Sequence, residues 1–212
     1  MNRSSDRAYT HVKDAILTGQ HRSGQRLPED QIAAQLGVSR TPVRDALRRL
    51  EAEGFVEHMP HSGARVSAWS AGELAELAAM RALLEGYAAS LAAQKISNAR
   101  LDDLRRSCDA MEESAADPLT VTLENLRFHR LVAEAAANGR LLASLEPLWP
   151  VPLLVRKFSL FDPTRIAASV THHREIVEAL TARDSVWASA SMRAHLAAAR
   201  SFDPLLASAG AD

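Results

Sequence analysis

From residue 73 almost to the end of the chain, apolar residues return every three or four positions, and most of them are Ala or Leu. That spacing puts them on one face of a helix, where a strand would need alternation. The stretch must therefore pack helix on helix. With only 5 Phe, 3 Trp and 2 Tyr in 212 residues, its core is built mainly from Leu, Ala, Val and Ile, which favours helices over sheets. The spacing predicts helices over 73–95, 98–115, 118–138, 139–158, 163–182 and 184–202. Pro147, Pro150 and Pro152 must kink or split the fourth. No repeat with a period of 20–50 residues is visible.

The first 68 residues read differently. A helix is expected over 6–18, broken by Gly19 and Gly24, and a short one over 31–36, stopped by Gly37. Ser39 is a plausible N-cap for a third, with Pro42 in its first turn, Val43, Ala46, Leu47 and Leu50 facing inward and Gly54 just past its end. "FVEHM" and "ARVS" are short strand candidates, with the turn composition "PHSG" between them. This segment holds 10 Lys and Arg against 8 Asp and Glu, plus four His, whereas residues 69–212 hold 15 against 18. The mild positive excess hints at a polyanion partner.

"EDQIAAQLGVSRTPVRDALRRLEAEGFV" has the helix, Gly-containing turn and helix of a DNA-binding helix-turn-helix. Ser39, Arg40 and Thr41 open the second helix, whose N–H groups suit phosphate. Arg40, Arg44 and Arg48 recur at i, i+4 and i+8 on its outward face, where guanidinium groups can reach guanine edges. The hairpin would follow as a wing, with Gly63 allowing the backbone close to DNA. The alternative on these residues is a two-helix hairpin with solvated arginines. "RLPEDQIAAQLGVSRTPVRDALRRLEAEGFVEHMPHSGARVS" closely resembles the winged-helix domain of the GntR family of bacterial transcription regulators, and "VSRTPVRDALRRLEAEG" is highly specific for it. The helical remainder resembles the FCD effector domain of the FadR-type subfamily. The resemblance implies that Ser39, Arg40, Thr41, Arg44 and the wing-tip Gly63 contact operator DNA. Some members carry an additional DNA-contacting arginine where this chain has Asp30, so that contact is expected to be absent.

Helical phase sorts the histidines of the second part. Thr122, Asn125, His129, Val132 and Ala136 share one face, as do Ile166, Val170, His173, Val177 and Leu180, and Ala188, Met192, His195, Ala199 and Phe202. Three helices each point a histidine inward, while His172 is left near the rim. One inward histidine is ordinarily a hydrogen-bonded core residue. Three converging with an amide oxygen suit a borderline divalent ion. Many FCD domains bind a divalent metal through an Asp, a His four residues later, and two more His on the last two helices. The resemblance places that set on Asn125, His129, His173 and His195, with Zn, Ni or Mn as the ion. Asn in place of Asp is a neutral, weaker ligand, which leaves the ion its full charge and favours an anionic effector.

Leu74, Leu77, Arg81, Leu84, Ala88 and Leu91 place Arg81 on an apolar stripe, where a guanidinium needs an anion. Its partner could be internal, Glu85 or Glu134, or a carboxylate effector, which an arginine fork would orient; the effector role is the expectation for Arg81. Cys108, the single cysteine, sits on a polar helix without an obvious partner and excludes disulfides and Cys-based zinc sites. Trp149 and Trp187 read as packing residues. Neither a nucleophile-elbow pattern nor a Gly-rich phosphate loop is found.

The expected fold is mainly α: a winged helix-turn-helix over 1–68, a linker at 69–72, and an all-helical, FCD-like effector-binding and dimerisation domain over 73–212. The expected function is a ligand-responsive, non-enzymatic repressor, a homodimer on palindromic double-stranded operator DNA, sensing a small carboxylate at a metal-containing pocket. Met1–Thr10 lacks the apolar core of a signal peptide and charges interrupt every apolar run, so a cytoplasmic protein without membrane association is expected. The alternatives are a pure metal sensor and a metal-dependent hydrolase, the latter disfavoured because no inward Glu or Asp is apparent beside the histidines.

Overall fold

The structure, a computed structural model, describes residues 3–59 and 63–201. Apart from Gly63, the "PHSG" turn lies outside the described residues, as does Phe202. The chain divides into two compact units. One holds residues up to Trp69 together with Pro150–Arg156, the other Ser70–Trp149 together with the chain from Lys157 onward. The described residues form ten α-helices, one 3-10 turn and three short strands, so the fold is mainly α.

In the first unit, α1 (Arg3–Leu17) packs on α3 (Arg40–Ala52), and α2 (Glu29–Leu36) lies against α3 as well. The stripe Val43, Ala46, Leu47 and Leu50 is buried, and meets Val12, Ile32 and Phe55 in one core. α2 ends at Gly37, whose φ of 64° is the left-handed turn a side chain resists. β2 (Val56–Met59) and β3 (Gly63–Val66) pair antiparallel in the register Val56↔Val66 to Met59↔Gly63. The sheet has a third strand that the sequence did not reveal, β1 (Arg26–Leu27), paired antiparallel to β3. Two residues are too few for alternation to show.

Gly63 has a reason internal to the fold. Its φ is +89°, and a Cβ there would stand 2.5 Å from the carbonyl oxygen of Leu27. The β1–β3 pairing thus leaves no room for a side chain.

In the second unit, α4 (Ala71–Lys95) starts at a reciprocal cap. Ser70 Oγ accepts from the Glu73 N–H, and the Glu73 carboxylate accepts from the Ser70 N–H. The helix therefore begins before residue 73, inside the stretch expected as linker. α5 (Asn98–Glu113), α6 (Pro118–Ala135), α9 (Pro163–Thr181) and α10 (Ser185–Ser201) complete the main bundle. α4 touches α6, α9 and α10. Ala88, Ala89, Ala92 and Ala93 are almost wholly buried on it, and small side chains let its neighbours approach closely. Phe128, Leu104, Met111, Ile176, Leu180 and Met192 fill the core.

The expected fourth helix is split by its prolines into α7 (Gly139–Leu145), a 3-10 turn (Glu146–Leu148) and α8 (Val151–Phe158). Pro147 sits at the start of the 3-10 turn, where its missing N–H leaves no bond unmade. The expected helix 118–138 stops at Ala135, because Ala137 takes a φ of 51° and Asn138 caps α7.

Gly63→Ala should lower the stability of the first unit by about 1–3 kcal/mol, since it adds both a clash and a disfavoured backbone angle. Urea unfolding monitored by circular dichroism checks this. A midpoint equal to wild type would show that the wing accommodates a side chain there.

Candidate functional site

On the first unit, Ser39 precedes α3 in extended backbone, although its side chain makes no capping hydrogen bond. Ser39, Arg40, Thr41, Arg44 and Arg48 are all exposed. Arg44 and Arg48 share a shallow cleft with Gly63, His58 and Glu29, so α3 and the wing offer one surface. The sequence reading did not anticipate the partners of these arginines. Arg44 forks onto Glu29, with Nε donating to Oε1 at 3.0 Å and Nη2 to Oε2 at 2.8 Å. Arg40 Nη2 donates to Asp30 at 2.8 Å. The Arg44 fork holds the Glu29 carboxyl below its ordinary pKa.

In the second unit, α6, α9 and α10 bring His129, His173 and His195 together. Side chains of Asp117 and Asp162 cap α6 and α9, which fixes where those two helices begin. All three histidines are buried, and each offers a ring nitrogen within 4.8 Å of the others'. His129 Nε2 and His173 Nε2 are 3.4 Å apart. Asn125 is buried one turn before His129 on α6, and His172 is only half-buried. Burial holds the His173 and His195 imidazoles well below their ordinary pKa, with neighbouring histidines adding to the effect. Neutral rings keep the lone pair a metal needs.

The donor set fits a divalent ion. A tetrahedral zinc with bonds of about 2.0–2.1 Å holds its nitrogens about 3.3–3.4 Å apart, which matches the His129–His173 spacing. His173 Nδ1 and His195 Nδ1 are buried without hydrogen-bond partners.

The sequence reading missed one member of this cluster. Glu85 on α4 is 2% exposed, and its Oε2 lies 2.5 Å from His129 Nδ1. Its Oε1 accepts from Arg81 Nε at 2.7 Å and from Trp149 Nε1 at 3.0 Å. Burial alone would raise the Glu85 pKa, but the Arg81 charge and His129 outweigh it and hold the carboxyl far below the carboxylate range. The expectation that no inward acid stands beside the histidines is thus corrected. Of the partners open to Arg81, the structure supplies Glu85; Glu134 instead meets Arg100 at 3.2 Å. The signal was the i, i+4 spacing from a buried arginine. Trp149 packs as expected, but its ring N–H also serves this carboxylate. Cys108 is fully buried, and burial pushes its thiol up to about 12, so it is unreactive.

A cavity of about 200 Å³ adjoins the cluster. His195 and His172 reach its wall, with Thr164, Arg165, Ser169 and an apolar side of Phe161, Ala168, Ala198 and Ala199. Arg81 is not among the lining residues.

Comparison with known proteins matches residues 4–66 to the bacterial regulatory proteins, gntR family, and residues 76–198 to the FCD domain. The chain is a member of the GntR family. This GntR regulator is 37% identical over 186 residues to the "Probable D-xylose utilization operon transcriptional repressor" of Paenarthrobacter nicotinovorans, covering 86% of this chain and 81% of that one. It is 25% identical to the HTH-type transcriptional regulator YdhC of Bacillus subtilis, covering 88% and 85%. Its fold matches the structure of E. coli McbR/YncC with a TM-score of 0.72 at 21% identity, over 95% and 97% of the two chains. The GntR regulator is thus a transcription factor of winged-helix and FCD architecture, and its family and relatives are regulators, not enzymes. Among its described residues no helix is long and apolar enough to cross a membrane.

The buried imidazoles give the metal-free protein a pH dependence. An unfolded histidine takes a proton as pH falls through about 6.5, while His173 and His195 in the folded state do not. Their stabilisation is complete above that pH and is lost as pH falls below it. Glu85 stays ionised throughout this range and adds no slope. Urea unfolding in chelator at pH 7.5, 6.5 and 5.5 should show stability falling with pH, and a flatter profile for His173→Gln. A wild-type profile no steeper than the variant's would mean that His173 is not held neutral.

Proposed function

We propose that this GntR regulator is a homodimeric repressor that binds palindromic operator DNA and is controlled by a small organic acid bound beside a divalent metal. The observation that carries the reading is the convergence of three buried histidines next to a mostly apolar cavity with Arg165 on its wall. His129, His173 and His195 would hold the ion, with Asn125 as a weaker oxygen ligand. The ion would supply a fixed positive charge to attract a carboxylate. Arg165 stands on the cavity wall for the same anion, a present partner being the exposed Asp162 carboxylate at 3.7 Å, and the apolar side suits a hydrocarbon portion. Arg81, the expected effector ligand, already has an anion in Glu85, so the proposed carboxylate anchor moves to the cavity wall. The cavity favours an organic effector over a pure metal sensor. Repression is the sense named for the Paenarthrobacter relative.

On DNA, Ser39, Arg40, Thr41, Arg44, Arg48 and Gly63 form the proposed reading surface. Arg40 and Arg44 would exchange Asp30 and Glu29 for phosphate or base edges. Two winged helices on a two-fold operator require a dimer. Met80, Leu83 and Tyr87, exposed at i, i+3 and i+7 on α4, are the proposed cover for a second copy. The effector would act by binding one spacing of the two reading heads more tightly than another.

Arg44→Ala should weaken operator binding by about ten- to a hundredfold at fixed salt and leave the thermal midpoint unchanged. A gel-shift titration with wild-type affinity would remove α3 from the reading role. His173→Ala should lose the one equivalent of zinc per chain expected of wild type, along with the response to carboxylates in a thermal-shift screen, while operator binding without effector persists. Full zinc retention in that variant would show that the ligand set is wrong.

A further inference from the structure

Three groups stand together behind His129: Glu85, Arg81 and Trp149. Glu85 is a buried carboxylate whose two oxygens have separate tasks. Oε1 accepts from both Arg81 Nε and Trp149 Nε1, at 2.7 and 3.0 Å. Oε2 lies 2.5 Å from His129 Nδ1, close but without the alignment of a straight hydrogen bond. Two lone pairs at that distance would repel strongly, so the contact is stable only with a proton between the atoms. A proton on Nδ1 leaves Nε2 as the lone-pair nitrogen, and Nε2 is the atom that meets His173 Nε2 at 3.4 Å. The Nδ1 atoms of all three histidines lack an aligned hydrogen bond, but among the described residues only His129 Nδ1 has a carboxylate oxygen against it. Of the three rings, His129 is the one with a carboxylate behind it.

We infer that Glu85 is the positioning residue of the metal site: it fixes the tautomer and ring orientation of His129, and Arg81 and Trp149 act through it by pinning its other oxygen. This rests on the metal reading proposed above. A carboxylate behind a ligating histidine also makes the ring a better donor. That matters here because Asn125 brings no charge to the site, leaving Glu85 as the anion in contact with a proposed ligand. The same geometry gives Arg81 a role distinct from effector recognition. Its Nε–H holds Oε1 of Glu85 in place at 2.7 Å, and the effect on the metal is indirect. Gly86, the next residue, lets α10 come close, since a Cβ there would stand 2.7 Å from Arg193 Cγ. α4 can thus carry Glu85 into the cluster while lying tightly against the helix that carries His195.

The test is zinc affinity of the full-length protein at fixed pH, by competition with a chromophoric chelator. Glu85→Gln should keep one zinc per chain but bind it about 10- to 100-fold more weakly. Arg81→Met should weaken zinc as well, although it touches none of the proposed ligands. The double variant Arg81→Met/Glu85→Gln leaves no unpaired charge in the core, which keeps the test available if either single variant folds poorly. Its loss should match that of Glu85→Gln alone, because the two residues act in series. In zinc-loaded wild type, the ring ¹⁵N shifts of His129 should show a protonated Nδ1 and a metal-bound Nε2. A merely structural Glu85 would leave that signature in place in Glu85→Gln, whereas a positioning residue alters it. Wild-type zinc affinity in the well-folded double variant, or an Nδ1-bound zinc on His129, overturns the inference while leaving the metal reading intact. Absence of zinc from wild type and His173→Ala alike overturns the metal reading, and the inference falls with it.

Discussion

An ionised carboxylate inside a helical bundle is stable only when cationic and hydrogen-bonding partners replace the water it has lost. Glu85 meets that condition through Arg81, Trp149 and His129, which come from α4 itself, the end of the 3-10 turn and α6. The requirement ties those elements together at one point. Breaking one side of such a set leaves a buried charge uncompensated, which costs far more than a lost surface pair. The centre of this bundle therefore tolerates little change, and the histidines beside it inherit a fixed background.

Those histidines face the opposite constraint. Burial disfavours their charged form, so His173 and His195 stay neutral, and their unpartnered Nδ1 atoms mark polar groups that the surrounding helices do not satisfy. A cavity walled in part by His195 and His172 adjoins the same cluster. Three buried imidazoles, a buried carboxylate and an adjoining cavity thus lie side by side on α4, α6, α9 and α10.

The first unit manages its charges differently. Arg40 and Arg44 project into solvent and are held by Asp30 and Glu29 on α2. Exposed pairs of this kind contribute little to stability. They can exchange partners readily, and they keep long side chains aligned along α3 meanwhile. Gly63 belongs to the same surface for a reason set by the sheet: β1 leaves it no space for a Cβ.

The sequence by itself determined the helical architecture and the inward faces of α3, α6, α9 and α10. On α4 the expected stripe is corrected, since Leu77, Arg81, Leu84 and Leu91 are only half-buried while Glu85, Ala89, Ala92 and Ala93 are buried. Periodicity is a local property, so Asn125, His129, His173 and His195 could each be assigned to a buried face, and the three prolines between 147 and 152 to a break. Specific motif residues also made the family legible before any coordinates. The tertiary structure alone decided how those faces meet. It chose Glu85 over Glu134 as the partner of Arg81, turned Glu85 toward His129, and brought Trp149 to the same oxygen from 64 residues away. It also paired the two-residue β1 with β3, about 40 residues on, at the position that demands glycine. Such contacts depend on how separate elements dock, and docking leaves no periodic trace in the chain.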